Sequence, residues 1–331
     1  MSSGVPQDLH SALDSVIDVA PRQLTTAVRV LSERYREQHA RPSAPLIRSE
    51  LDAMAYAAYR LPATHAAVSA VLHEVRRLQP DLKPESLLDV GAGPGTALWA
   101  AAEIWPLKRI TALERNPRMV RLGKTLVSHA RSPAIQDTIW LEAEATASAC
   151  DPADITIAAY VLGEMPDTGR EGFVRFLWEH ASQSCVIVEP GTPRGSSIIR
   201  QAGDFLVAAG AHVVAPFPQD WRCSESEEDW CHFSQRMART RIHRSAKEAA
   251  LSYEDEKYSY VAASRCASVP IAGRVTRHPQ VHSGHVRLVV CTERGIRHIV
   301  VTRSQREAYR RAKDLMWGSA IALEEADLFG L

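Results

Sequence analysis

Alternating glycines follow one strongly apolar segment of the chain and precede a helical pattern. The stretch Leu87–Thr96 reads LLDVGAGPGT, which places glycines at positions 91, 93 and 95. Glycine lets the backbone turn tightly and approach a ligand with no Cβ in between. Twenty-one residues after Gly93, a second apolar segment ends in Glu114, whose carboxylate is well placed to accept hydrogen bonds from two ribose hydroxyls. The two features together predict a nucleoside-type binding site.

The glycine spacing separates this loop from two other phosphate-binding motifs. It is G-x-G-x-G, unlike the G-x-G-x-x-G of dinucleotide sites, and no Gly-Lys-Ser/Thr follows it. With an acid opening the loop and another closing the second strand, the region resembles the S-adenosylmethionine site of class I methyltransferases. The resemblance implies that Asp89, Gly91, Gly93, Gly95 and Glu114 bind the cofactor. The alternative is an ordinary turn between a strand and a helix.

A later apolar segment ends in YVLGEMP, residues 160–166. Ligands of open parallel sheets bind at the carboxyl edge of the strands, so we expect Tyr160 and Glu164 to line the same pocket. Tyr160 is also compatible with a packing role. Neither an Asn-Pro-Pro-Tyr-type tetrad nor a pair of nucleophilic cysteines follows the apolar segments, so the catalytic residues are unknown.

The elements that must position these residues alternate along the middle of the chain. Residues 1–80 carry apolar side chains at helical spacing and predict a helical N-terminal region. After it, short apolar runs alternate with helical stretches, namely SLLDVGAG, RITALE, TIWLEA, DITIAAYVLGE, SCVIVEP and AHVVAP. This order predicts a parallel sheet covered by helices. We therefore predict an α/β fold with a class I methyltransferase (Rossmann-like) sheet, whose S-adenosylmethionine-binding domain spans residues 81–216.

The last third of the chain has a different character. Residues 217–270 are polar, charged and aromatic without a strong period, and we interpret them as a cysteine-containing insertion before the last strand. Residues 271–331 predict a hairpin that turns near Arg294-Gly295, followed by a basic amphipathic helix capped by Ser304. We expect this C-terminal hairpin and helix to complete the sheet.

Composition excludes several classes of protein. The 331 residues are 45% hydrophobic and 24% charged, which excludes disordered, collagenous and coiled-coil chains. Because 39 basic residues balance 39 acidic ones, any nucleic-acid contact must come from a local patch. Six cysteines are too few for a disulfide scaffold, and neither an export signal nor a membrane segment is apparent. These features predict a reduced, cytoplasmic protein with no membrane partner.

Several runs along the chain are distinctive in combination. They are RLPAT at 60–64, DWCHFS at 229–234, YEDEKYSY at 253–260 and Trp317-Gly318. Together they resemble the Rsm22 family, methyltransferase-like proteins of the mitochondrial small ribosomal subunit with bacterial relatives. The resemblance runs from about residue 50 to about residue 320.

The resemblance also implies a metal site. In that family four cysteines hold an iron–sulfur cluster, and Cys223, Cys231 and Cys291 match three of them, whereas the remaining position is Phe217. Three thiolates still allow a four-iron cluster with an open or substitute ligand, from Asp220, His212, His232 or Cys266. Thiolates with one histidine allow zinc, and loss of the metal is a third alternative. We favour the cluster over zinc, because a polar insertion is ordered more easily around a metal.

Two basic stretches predict an RNA-binding surface. The run QRMARTRIHRSAK at 235–247 has five cations and no acid, and on a helix Arg236, Arg239, His243 and Lys247 would share a face. The alternative is an ordinary solvated helix face. A second run lies on the predicted last helix and consists of Arg303, Arg306, Arg310, Arg311 and Lys313.

The function predicted from these features is that of an S-adenosylmethionine-dependent, methyltransferase-like protein that acts on or with small-subunit ribosomal RNA. Catalysis itself is left open, because the sequence names no catalytic base. One alternative is a non-catalytic ribosome assembly factor that holds the cofactor structurally. Another is a diverged methyltransferase for a small molecule or a peptide.

Overall fold

The computed structural model describes residues 5–38, 46–145, 149–217, 230–239 and 252–331. The predicted helical N-terminal region is confirmed by α1 (Gln7–Val16), α2 (Pro21–Gln38), α3 (Glu50–Tyr59) and α4 (Leu61–Leu78). A capping box fixes the start of α3, since the Ser49 side chain accepts the Asp52 N–H while the Asp52 carboxylate accepts the Ser49 N–H. No described helix is long and apolar enough to cross a bilayer.

A central sheet follows these helices. Its strands are β1 (Ser86–Val90), β2 (Arg109–Leu113), β3 (Ile139–Leu141), β4 (Ala153–Ala159), β5 (Ala181–Pro190), β6 (His212–Ala215), β7 (Phe233–Ala238) and β8 (Tyr253–Ser264). The helices between the strands are α5 (Thr96–Ile104), α6 (Pro117–Val127), α7 (Pro133–Gln136), α8 (Asp167–Glu179) and α9 (Pro193–Ala208). All six predicted apolar strands are present.

Strand order identifies the fold. The sheet runs β3-β2-β1-β4-β5-β8-β6, with β7 paired to β8. β1 is parallel to β2 and β4, whereas β8 is antiparallel to both β5 and β6. Every residue of β1 is buried, as expected of a central strand with helices on both faces. This order, with one antiparallel strand between the fifth and sixth, is that of class I methyltransferases, so the predicted fold class is confirmed.

The C-terminal residues form a second sheet. It contains β9 (Ile271–Val275), β10 (Gln280–Val281), β11 (His285–Thr292), β12 (Gly295–Thr302) and β13 (Ala320–Ala322), with α10 (Arg306–Asp314) and α11 (Ala326–Phe329) beside it. Val286, Leu288 and Val301 pack against α10 in a separate core. The predicted hairpin is present, because Thr292 pairs with Gly295 at its turn.

Two expectations for this region are wrong. The hairpin does not complete the central sheet, because β8, which lies inside the range 217–270, pairs between β5 and β6 and takes that place. Ser304 does not cap the helix either. The helix begins at Arg306, and Gln305 precedes it with a side chain that accepts hydrogen bonds from Thr302 instead.

A buried arginine joins the second sheet to the rest of the molecule. Arg274 of β9 is fully buried, and its guanidinium donates to Glu74 Oε1 of α4 at 2.6 Å and to the Gly318 carbonyl at 2.8 Å. It also donates to the Pro216 carbonyl, just after β6. Burial raises the pKa of Glu74, but Arg274 and Arg77 together outweigh burial and lower the pKa of that carboxyl to about 2.

Candidate functional site

A pocket of about 280 Å³ lies at the carboxyl edge of the central sheet. Its floor is formed by the ends of β1, β2 and β4, which contribute Gly91, Gly93, Glu114 and Tyr160. Tyr35 of α2 and Tyr56 of α3 line it from the N-terminal region and were not predicted, because a tyrosine on a helix has no motif that marks it as pocket-facing. The pocket thus brings together four of the predicted cofactor-binding residues.

The three loop glycines have different surroundings. Gly93 has φ +56°, and a Cβ built there would meet only the Tyr56 hydroxyl, at 4.0 Å, so this backbone faces the pocket. A Cβ on Gly91 would come within 2.6 Å of Val161, and one on Gly95 within 2.8 Å of Leu98. Gly95 packs against its helix and does not line the pocket. The loop therefore offers a ligand close backbone approach at Gly93.

Two acids flank the loop in different ways. Glu114 accepts the Gly93 N–H at 2.9 Å and the Asn116 N–H at 2.7 Å. Burial raises the pKa of Glu114, although these two hydrogen bonds favour the carboxylate and oppose the shift. Asp89 lies on β1, is 1% exposed, and its Oδ2 has no hydrogen-bond partner among the described residues. Burial raises the pKa of Asp89 to about 7. An unpartnered buried carboxyl oxygen and an acid tied to the loop suit a cationic nucleoside ligand.

The turn after β4 is held from several directions. The Glu189 carboxylate, at the end of β5, accepts the Leu162 N–H at 2.8 Å and the Gly163 N–H at 3.1 Å. On the other side, Arg170 donates to the carbonyls of Leu162 and Met165. Burial raises the pKa of Glu189 to about 7, although these N–H groups oppose the shift. This turn is a rigid part of the pocket wall.

Tyr160 sits at the start of that turn in a strained conformation. Its φ of +62° is the single positive value among the described non-glycine residues. Its hydroxyl donates to Glu256 Oε1 of β8 at 2.9 Å, and Glu256 also pairs with Arg60 at 3.1 Å. The Arg60 guanidinium lies 5.0 Å from the Tyr160 ring centroid. Tyr160 therefore presents its ring to the pocket while its hydroxyl is held by β8.

Glu164 is the carboxyl that this turn carries into the pocket. Burial is the main cause that raises its pKa, to about 8, and the nearby carboxyls of Glu114 and Glu189 add to the shift. Arg115 and Arg60 act in the opposite direction. The pocket thus contains a carboxyl that is protonated at neutral pH.

The predicted metal ligands are partly outside the described residues. Cys223 lies outside them, Cys231 precedes β7, and Cys291 lies on β11. Cys291 pairs across the sheet with Arg274, which donates to the carbonyl before Phe217, and both cysteines share a core with that phenylalanine. The described residues contain no group of three or more His, Cys, Asp or Glu side chains arranged to hold a metal. The metal site remains a prediction.

The first basic stretch does not form the predicted helix. Residues 233–238 are strand β7, and its pairing with β8 places Arg236 opposite Asp255 and Met237 opposite Glu254. Arg236 forms a bidentate ion pair with Asp255 at 2.7 and 2.9 Å, and Arg239 pairs with Glu254 at 3.3 Å. The alternating side chains of a strand cannot form the predicted single-face stripe. His243 and Lys247 lie outside the described residues.

The second sheet carries a larger basic surface, which sequence analysis found only in part. Between Arg274 and Lys313 there are ten cations and two acids, a count that could have identified the whole segment. Arg303, Arg306, Arg310 and Lys313 are exposed as expected, whereas Arg311 pairs with Glu325. Within the described residues, no ion pair involves the exposed side chains of Arg287, Arg294, Arg297, Arg303, Arg306 and Arg310.

One face of this sheet is open. Gln280, Arg287 and Val300 pair directly across β10, β11 and β12, so they share a face, and all three are exposed. The stacked rings of His282 and His285, with centroids 4.5 Å apart, lie beside them. The core with α10 covers the opposite face. The six unpaired arginines extend beyond this face, because Arg297 pairs with the core residue Val290 and Arg306 and Arg310 lie on α10. We call the residues of the open face, together with these six arginines, the basic sheet surface.

Most of the chain is similar to known proteins. The profile of the family described as mitochondrial small ribosomal subunit Rsm22 matches residues 50–322. The human mitochondrial ribosome assembly protein METTL17 is 29% identical over 288 residues, covering 81% of this chain and 62% of that protein. The mitochondrial Rsm22-cox11 tandem protein 2 of Schizosaccharomyces pombe is 26% identical over 328 residues, covering 82% and 43%. This chain spans less than two thirds of the length of either relative.

Among solved structures, the magnesium protoporphyrin IX methyltransferase of Synechocystis with bound S-adenosylmethionine is 12% identical, with a TM-score of 0.41, and covers 74% of this chain and 97% of that chain. The fold assignment rests on the strand order described above. The cytoplasmic location predicted from the sequence is contradicted, because the matched family and both relatives are described as mitochondrial.

Proposed function

We propose a function for this chain, which belongs to the Rsm22 family. It binds S-adenosylmethionine and contacts small-subunit ribosomal RNA during assembly of the small ribosomal subunit. The observation that carries the proposal is the extent of the family match. It includes the pocket with its glycine loop and also the basic sheet surface up to β13. The two sites supply separate chemistries, one for a nucleoside and one for a phosphate backbone.

The cofactor half of the proposal is supported by the fit of the pocket. The bare backbone at Gly93 admits a ligand and Glu114 has carboxylate lone pairs for ribose hydroxyls, whereas Asp89 is buried beneath the loop and does not line the pocket. S-adenosylmethionine would supply an electrophilic methyl group there. Calorimetry with Glu114→Ala should show binding weakened by about 1–3 kcal/mol, since polar partners are left unpaired. Unchanged affinity would remove the support that Glu114 gives.

The RNA half of the proposal is supported by the six unpaired arginines. A phosphate backbone releases condensed counterions when cations neutralise it, so RNA affinity should fall steeply with salt. Replacing Arg287, Arg297 and Arg303 by glutamine should lower the salt slope by about 2–3 units and weaken different RNA sequences alike, because phosphate contacts position without reading bases.

A matched control for that experiment replaces three exposed arginines of the central domain that have no ion pair among the described residues, Arg109, Arg131 and Arg200, by glutamine. It removes the same total charge from a different surface. If both triple variants lose RNA affinity equally, only net charge acts and the assigned surface is wrong. If the parent protein binds no small-subunit RNA, the ribosomal part of the proposal fails.

A second candidate function is methylation of a small molecule. Tyr35 and Tyr56 line the pocket from the N-terminal region, and a pocket of about 280 Å³ with aromatic walls suits a small acceptor better than an RNA chain. Incubation with labelled S-adenosylmethionine and either small-subunit RNA or a metabolite extract distinguishes the two. Transfer to RNA supports the first candidate, and transfer only to a small molecule supports the second. Cofactor binding without transfer to either indicates a non-catalytic assembly factor.

We also propose a metal held by Cys223, Cys231 and Cys291, with an iron–sulfur cluster favoured over zinc. The support is the pairing of Cys291 with Arg274, whose guanidinium donates to the carbonyl before Phe217, and the place of Cys231 and Cys291 in the same hydrophobic core as Phe217, together with the family membership. Phe217 is itself buried and supplies no ligand. Protein purified anaerobically should contain iron and sulfide and should bleach in air, and Phe217→Cys should raise its iron content. Metal-free protein of unchanged thermal stability would overturn this assignment.

A further inference from the structure

The turn from Tyr160 to Met165 is more heavily constrained than a connection needs to be. Glu189 holds its N–H groups, Arg170 holds two of its carbonyls, and Tyr160 is strained at its start. Strain of this kind persists where the surrounding structure enforces it, and it concentrates at functional sites. Several residues of this turn line the pocket, and Glu164 is the one with a carboxyl group.

Strand order determines which part of a ligand Glu164 would meet. β1 lies between β2 and β4, so the glycine loop separates Glu114 on one side from the turn after β4 on the other. A nucleoside whose ribose meets Glu114 therefore crosses the loop, and its far end reaches Glu164. In S-adenosylmethionine that far end carries both the sulfonium and the α-ammonium charge.

Charged groups from several elements of the fold act on the pKa of Glu164. Two carboxyls, Glu114 of β2 and Glu189 of β5, act on it, and they are opposed by Arg115 and by Arg60. The electrostatic neighbours of Tyr35 and Tyr56 also include Glu164. The raised pKa of Glu164, about 8, favours the neutral acid at pH 7 in the ligand-free protein. A cation placed beside it would favour the carboxylate.

We propose that Glu164 receives the cationic end of the bound sulfonium ligand and releases its proton to solvent as that ligand binds. The O–H bond of the carboxylic acid breaks, its electron pair stays on the oxygen, and the proton passes to the buffer. Glu164 thus neutralises the ligand without leaving a bare carboxylate buried in the empty pocket. Glu189 acts as a positioning residue, since it holds the turn that places Glu164. This inference rests on the proposed function, because it takes S-adenosylmethionine as the ligand.

Calorimetry in buffers of different ionisation enthalpy tests the inference. The dependence of the measured enthalpy on the buffer gives the number of protons released per S-adenosylmethionine bound. At pH 7 the wild type should release roughly one proton, and its affinity should rise up to about tenfold per pH unit between pH 6 and 8. Glu164→Gln cannot ionise, so its proton release should vanish and its pH profile should become flat. Its affinity at pH 8 should be about ten- to hundredfold weaker than that of the wild type.

Glu171→Gln is the matched control, because Glu171 is an exposed carboxylate on α8 that does not line the pocket. It should keep the proton release and pH profile of the wild type. Glutamine mimics the protonated acid, so equal thermal stability of Glu164→Gln and wild type at pH 6 verifies the fold. If Glu164→Gln still releases a proton, the inference is wrong and the proposed function stands. If the wild type binds no S-adenosylmethionine, both are wrong.

Discussion

The pocket and the basic sheet surface are both rich in ionisable groups, yet the fold treats these groups in opposite ways. Glu114 in the pocket lining and Glu189 behind the turn after β4 are buried, and backbone N–H groups hold their carboxyl groups at fixed positions. On the basic sheet surface, arginines such as Arg287 and Arg297 are exposed and have no ion-pair partner among the described residues. The negative region is internal and ordered, and the positive region is external.

This difference follows from the cost of burying charge. A buried ionised group is destabilising unless hydrogen bonds compensate it, so the pocket carboxyls must be held by fixed donors or carry a proton. Fixed groups suit a small ligand of defined shape. Exposed arginines stay hydrated at little cost, and they suit an extended polyanion whose phosphates need neutralisation more than exact placement. Arg274 is the exception within the second sheet, because it is buried and paired like a pocket residue.

The largest effect on stability is expected when the buried Arg274 is replaced. Arg274→Met removes the buried partner of Glu74, which keeps only the half-exposed Arg77, and it takes the donor away from the Gly318 carbonyl, so the free energy of unfolding should fall by about 3–5 kcal/mol. Arg287→Met removes the same charge from an exposed position of the same sheet and should cost less than about 1 kcal/mol. Urea unfolding measures both variants. Equal losses would show that burial does not separate the two kinds of arginine.

A glycine in the pocket wall should give the next largest effect. Gly93→Val places a branched side chain where the ligand approaches and forces φ +56° on a residue that disfavours it. S-adenosylmethionine binding should fall by at least about a hundredfold, whereas the chain should still fold, because the new Cβ meets only one atom at 4.0 Å. Gly172→Val is the control, since a Cβ at that α8 position has nothing within 4 Å. Wild-type calorimetric affinity in Gly93→Val would contradict the assigned loop.

The same contrast explains what the sequence could predict. The glycine loop and Glu114 were recognisable because a strand, a turn and an acid at the next strand end are local features. The six strands were recognisable because strands buried on both faces are continuously apolar. Tyr160 and Glu256 were different, since a contact between residues 96 apart depends on β8 folding back beside β5.

The prediction made from the first run of basic residues was wrong for a similar reason. A run of cations near Arg236 looked like a helix face, but the acids that neutralise it come from β8, nearly twenty residues later. Local sequence shows how many charges a segment has and cannot show which of them are paired. The hairpin after residue 285 was predicted correctly, but its sheet was not. β8 occupies the position between β5 and β6 in the central sheet, so the hairpin belongs to a separate sheet.

Stability should depend on pH in a direction set by the pocket. The pKa values of Asp89, Glu164 and Glu189 are raised to about 7, 8 and 7, so the folded state binds protons that the unfolded state has lost. Their contribution is complete below the unfolded pKa near 4 and is lost as pH rises to about 8. The free energy of unfolding should therefore fall between pH 5 and 8, by up to about 1.4 kcal/mol per pH unit for each of these carboxyls that stays protonated in the folded state.

Glu74 changes the stability with pH in the opposite direction. Its folded pKa near 2 contributes stability that is lost only as pH falls below about 4.5. The ligand-free protein should therefore be most stable near pH 5. Urea unfolding across pH 4–9 measures the curve, and Glu164→Gln should flatten its descending part. A stability that rises from pH 5 to pH 8 would show that the pocket carboxyls are ionised in the folded protein.

The smallest effect is expected at the arginine that the fold has already neutralised. Arg236 is held by Asp255 through two hydrogen bonds, so an approaching phosphate must compete with that carboxylate. Arg236→Gln should therefore change affinity for small-subunit RNA by less than about twofold and leave the salt slope unchanged. Arg303→Gln, which removes an exposed arginine without an ion-pair partner among the described residues, should lower that slope by roughly 0.7–0.9 units. Filter binding from 50 to 300 mM salt compares the two single variants. If Arg236→Gln has the larger effect, RNA contacts β7 and displaces Asp255, and the basic sheet surface is not the main contact.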